Sequence, residues 1–122
     1  MAKMKNYDVA KILPIRLHAE AQALPSAQGE ILLSLWPHIY GGIKHGCALL
    51  DDQRRDRVNL SGSVEEMCAT GIAACDDALD ERTNAARMNF QAARDLLALA
   101  AAPAVHPKQW VEVGANYGHA EL

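Results

Sequence analysis

The side chains best able to do chemistry are five histidines, three cysteines and fifteen carboxylates, and their spacing decides which chemistries are open. Structural zinc takes closely paired ligands such as C-x2-C or H-x3-H. His38 and His45 stand seven positions apart. On a helix that puts them on one face but about 10.5 Å apart along the axis, too far to share an ion. Cys68 and Cys75 repeat the spacing, which also rules out a disulfide between them within one helix. They read as small core hydrophobes on an apolar stripe. The remaining route to a metal is a site assembled from separate helices, using Cys47, His45 or His38 with carboxylates.

The carboxylates offer a second chemistry. Glu65 with Asp76, and Glu66 with Asp77, are eleven residues apart, close to three helical turns. Asp76/Asp80, Asp77/Asp80 and Asp77/Glu81 add neighbours one turn away. Carboxylates so placed on facing helices can hold Mg2+ for phosphate chemistry. Glu66, Asp77 and Asp80 are therefore the candidate metal ligands of the acidic stretch 65–81. A small Mg-dependent phosphohydrolase acting on a nucleotide is the catalytic alternative. No E-x-x-E precedes Asp77-x-x-Asp80, and a solvated acidic face is the preferred reading.

Nucleophilic catalysis has no support in the sequence. There is no G-x-S-x-G and no G-x-x-x-x-G-K loop, and no strand signal precedes the glycine-rich GGIKHG at 41–46. No catalytic residue is assigned, and no cofactor is expected beyond the Mg2+ of the alternative. Trp36, His38, Tyr40 and His45 cluster around Pro37 and form a candidate small-ligand pocket, a third reading. Arg82, Arg87 and Arg94, with Asn84 and Gln91, make a polar strip, but acidic neighbours dilute it and the formal net charge is −3. Nucleic acid is not an expected partner.

These residues must be positioned by helices. Half the 122 residues are hydrophobic but only 5% are aromatic. A core so aliphatic and alanine-rich favours packed helices over a sheet, where β-branched and aromatic residues would dominate. The expected fold is a single all-α domain, a small bundle of about four helices. Its strongest segment is 63–102. Ser63 and Glu66 form a capping box at its start, and an apolar stripe runs through Cys68, Ile72, Cys75 and Leu79, then Ala86, Phe90, Ala93, Leu97 and Ala100. The stripe falters at DERTN, 80–84. Either one helix spans the whole segment, or Thr83 caps a second helix and the halves fold back as a hairpin. With no proline and only Gly71 inside the segment, the continuous or merely kinked helix is favoured. A helix of that length, ~60 Å, would need a partner chain to cover it.

Upstream, Ser26 offers an N-cap with Glu30 in the first turn. Leu32, Trp36, Ile39, Ile43, Cys47 and Leu50 form the stripe of this second helix, with Leu35 and Tyr40 beside it. Pro37 predicts a kink or break near Leu33–Trp36. Gly41, Gly42 and Gly46 are expected to let another helix approach closely. DDQRRDR at 51–57 reads as a solvated helix end. A first helix is expected from Pro14 to Leu24, with Ile15, Leu17, Ala21 and Leu24 facing inward, preceded by a flexible arm at 1–12. Residues 103–122 read as an irregular tail, where Trp110 and Tyr117 are the candidate partner-binding residues.

The amino terminus shows no apolar run of secretory type, and no segment approaches the ~20 apolar residues that span a bilayer. With an odd number of cysteines, a cytoplasmic location is expected and no membrane association. The functional expectation is a non-catalytic helical interaction or regulatory protein that self-associates, as a homodimer, and binds a protein partner.

Overall fold

Leucines, isoleucines and alanines at three- and four-residue intervals wind this chain into helices that each bury one stripe. The computed structural model describes residues 6–60, 62–76 and 79–101, with side chains from residue 11 onward. The helices are α1 (Asn6–Gln22), α2 (Ser26–Leu49), α3 (Asp52–Arg55), α4 (Val64–Cys75) and α5 (Glu81–Ala101), and no strand occurs among the described residues. The fold is the expected small all-α bundle. Its central helix is α2, which packs along α5 and against α1, while α4 packs on α5. No helix of the described residues is long and apolar enough to cross a membrane.

Two corrections concern α1. It begins at Asn6, so residues 6–12 are helical rather than an arm, and Pro14 sits exposed inside the helix. Its buried side chains are Leu13, Leu17 and Ala21. That four-residue rhythm points Ile15, two positions past Leu13, about 200° away. Ile15 is 74% exposed rather than inward.

α2 starts differently from expectation and does not break. Pro25 holds the cap position with no side-chain cap bond, and Ser26 is the first helical residue. The Gly29 amide donates to the Pro25 carbonyl at 2.8 Å. The helix runs through Pro37, which is exposed. A proline costs the helix one N–H, and here the carbonyl that loses its donor belongs to Leu33, on the solvent side. The expected stripe is buried at Leu32, Leu35, Ile39, Ile43, Cys47 and Leu50, while Trp36 and Tyr40 are half-buried at its edge.

The end of α2 is closed by a residue from the next turn. Asp51 caps the short α3, its carboxylate accepting from the Arg54 amide at 2.8 Å. The Arg55 guanidinium then reaches back, its Nε donating to the Cys47 carbonyl at 3.0 Å and an Nη to that of Leu50 at 2.9 Å. Carbonyls at a helix end have no intrahelical donors, so DDQRRDR does structural work rather than merely ending in solvent. Val58 and Leu60, in the connector, are also buried, and the Asn59 amide donates to Thr70 Oγ1 at 3.1 Å.

The segment 63–102 is a hairpin. α4 starts as expected, with Ser63 Oγ accepting from the Glu66 amide at 3.1 Å. It ends at Cys75, and α5 begins at Glu81. This overturns the favoured continuous helix. The cap of α5 is Asp80 rather than Thr83: Asp80 Oδ1 accepts from the Thr83 amide at 2.8 Å, and the Asp80 amide donates to Thr83 Oγ1 at 2.7 Å. This is a reciprocal box of the S-x-x-E type with the side chains exchanged for D-x-x-T. An Asp76–Arg87 ion pair ties the end of α4 to the second turn of α5.

Phe90, the only phenylalanine, is fully buried where these helices meet. A side chain built at Gly46 on α2 would come within 2.7 Å of its ring, and one at Gly71 on α4 would collide with it as well. Gly42 similarly leaves room for the backbone of Asn89 and for Ala93. The glycines of α2 thus serve close helix packing, as expected at 42 and 46.

Candidate functional site

The ligand-pocket residues all lie on α2, and helical geometry divides them. Trp36 and Tyr40 are neighbours, their ring centroids 5.2 Å apart and the planes tilted by 49°. The Lys44 ammonium sits over the Tyr40 ring, 5.7 Å from its centroid, a cation–π arrangement. His38 is two residues from each aromatic, about 200° round the helix, and His45 shares the His38 flank. The core stripe separates the two pairs. Both histidines are half-buried, and His38 Nδ1 is buried without a hydrogen-bond partner. The structure does not bring the four together as one pocket.

The acidic candidates are also separated. Glu66 lies in the first turn of α4 and Asp80 beyond its far end, so the helix between them holds them about 15 Å apart or more. The Asp80 carboxylate is occupied in the α5 cap. Its backbone hydrogen bond from Thr83 favours the charged form and lowers its pKa below the ordinary carboxylate value. Asp77 lies outside the described residues, as do Trp110 and Tyr117. Among the described residues no group of three or more His, Cys, Asp or Glu could hold a metal ion.

The cysteines are free and buried, as their stripe positions suggested. Burial pushes the Cys47 thiol up to about 11 and that of Cys68 to about 12, and raises Cys75 in the same direction. A nucleophilic cysteine needs the opposite shift. These thiols are packing groups.

What remains open lies on the surface. A shallow groove of about 280 Å³ runs between α1 and α2, lined by His18, Gln22, Glu30 and Leu33 among others. The Gln22 amide reaches the His18 ring at 3.1 Å along one wall. A second hollow, of about 470 Å³, lies against Met88, Gln91, Arg94 and Asp95 on α5. The large apolar side chains left most open on the α1–α2 hairpin are Ile15, at 74%, and Leu33, at 47%. The sequence alone suggests that Ile15 faces inward, and it gives Leu33 no role of its own. The signal was nonetheless present, since both residues fall off the rhythm of their helix's buried face.

Comparison with protein-family profiles, curated proteins and solved structures finds no match for this chain.

Proposed function

We propose that this protein is a non-catalytic helical interaction protein that self-associates through the outer face of the α1–α2 hairpin and binds a protein partner. The observation that carries the reading is the exposure of the branched side chains Ile15 on α1 and Leu33 on α2, with Trp36 and Tyr40 half-buried one and two turns after Leu33 on the same helix. Aromatic residues at the edge of an exposed apolar patch are the usual anchors of protein interfaces. The reason for dimerisation changes with the fold. A continuous 63–102 helix would have needed a second chain to cover it; the hairpin buries most of its own stripe, leaving Leu79 and Met88 exposed there, and Ile15 and Leu33 are the exposed branched side chains of α1 and α2. Three buried free thiols fit a reducing compartment, and the cytoplasm is the proposed location.

Sedimentation velocity across tens to hundreds of micromolar tests the reading. The wild-type chain is expected to show a monomer–dimer equilibrium, and Ile15→Lys combined with Leu33→Asp to shift it to monomer. A wild-type chain that stays monomeric over this range overturns self-association.

A further inference from the structure

One strip of α2 faces away from the bundle and has a composition that fits itself. Glu30, Leu33, Pro37, Tyr40 and Lys44 follow one another at intervals of three, four, three and four. That is the 3.5-residue rhythm of a helix–helix seam. Glu30, Leu33, Pro37 and Lys44 are exposed and Tyr40 is half-buried. The strip is acidic at one end, basic at the other and apolar between. Glu30 and Lys44 each stand seven residues from Pro37, which places the opposite charges about 10.5 Å either side of the centre.

A strip of this kind is complementary to its own reverse. We propose that the occupant of this face is a second copy of the chain, its α2 packed antiparallel on the first about a two-fold axis at Pro37. This rests on the self-association proposed above and assigns it a register. Two-fold contacts are self-complementary by construction, each patch meeting the same patch reversed. In this arrangement Glu30 of one copy meets Lys44 of the other, twice, and Leu33 of one lies beside Tyr40 of the other. Pro37 supplies a further reason for the centre. Its missing N–H leaves the Leu33 carbonyl without a helical donor on this strip, and the register brings the hydroxyl of the other copy's Tyr40 alongside it. Lys44 already lies over its own Tyr40 ring, so the charge is held at the strip rather than swept into solvent. A parallel pairing would set Glu30 on Glu30 and Lys44 on Lys44, which like-charge repulsion disfavours.

Charge exchange tests the register, read by sedimentation equilibrium with circular dichroism to confirm that each variant is helical. Glu30→Lys alone and Lys44→Glu alone each place like charges at both ends of the contact, and each is expected to raise the dimer dissociation constant about tenfold. Mixed in equal amounts, the two variants restore both attractive pairs, so a heterodimer near wild-type affinity is expected. The double variant within one chain is expected to recover affinity in the same way. If the wild-type chain dimerises but neither reversal weakens it, or both weaken it with no recovery on mixing, the register is overturned while self-association stands. A wild-type chain that is monomeric at hundreds of micromolar overturns both.

Discussion

Phe90 and Ile15 are both large apolar side chains set in the middle of a helix, and the bundle treats them oppositely. Phe90 on α5 is sealed, with α2 and α4 presenting glycines to opposite sides of its ring. Ile15 on α1 is 74% exposed. The difference comes from the number of neighbours each helix has. α5 packs against both α2 and α4, and Phe90 lies where the three meet; α1 packs chiefly on α2, and Ile15 lies on its opposite side. Side chains at the doubly covered position set stability, and those on the free side are available for association.

The contrast breaks most visibly at Phe90. Phe90→Ala removes the ring that fills two glycine notches, which neighbouring side chains cannot close, and is expected to cost about 4 kcal/mol in urea unfolding. A loss under about 1 kcal/mol would show that the notches collapse and that the α2–α4–α5 junction is less tightly determined than its geometry indicates.

A pH-dependent effect is expected from the thiols of the same interior. Burial raises Cys47 to about 11 and Cys68 to about 12 from 9.0. The unfolded chain therefore ionises these thiols first as pH rises. Their contribution is fully present below pH 9.0 and declines between 9.0 and the raised folded values. Denaturant midpoints measured from neutral to alkaline pH should fall in that window, and less steeply in Cys47→Ala plus Cys68→Ala. At neutral pH, labelling by a thiol reagent should track unfolding rather than proceed on the native protein.

The smallest effect on stability is expected on the free side. Ile15→Lys and Leu33→Asp replace exposed side chains and should each move the unfolding free energy by no more than about 0.5 kcal/mol. Thermal unfolding measured on dilute monomer checks this. A larger loss would mean that α1 is held to the bundle partly by its outer face.

Several features were legible because their causes lie within a turn of chain. Ser63 with Glu66 announces the start of α4, and the hydroxyl bond is there. The stripes of α2 and α5 name a large part of the core, and Gly42 and Gly46 are recognisable as close-packing positions. Other features were not legible because weaker local signals coincide. The Asp80–Thr83 box has the same logic as Ser63–Glu66, but Thr83 looked like the cap since it closes the faltering stretch. In α1 and just past it the sequence places Leu17, Ala21 and Leu24 correctly and misplaces only Ile15, because Pro14 suggests a helix start where the helix has already run on from Asn6 and Leu13 takes the inward position. The ligand candidates group by nearness in sequence, and helical rotation puts His38 and His45 on the opposite flank from Trp36 and Tyr40; the acidic candidates group by spacing on one long helix, which the break between α4 and α5 removes.

The sequence by itself determined that this chain is helical, where α4 starts, and that its core is aliphatic. Those properties follow from propensity, period and caps, which act between residues a few positions apart. Only the tertiary structure decided that α4 and α5 fold back on each other, that Arg55 closes the end of α2, and that Glu30, Leu33, Pro37 and Lys44 of α2 are exposed. Each of these depends on which helices lie side by side. The Asp76–Arg87 pair and the notches around Phe90 exist only once α4 and α5 are adjacent, so neither half of the hairpin carries the reason for the turn alone.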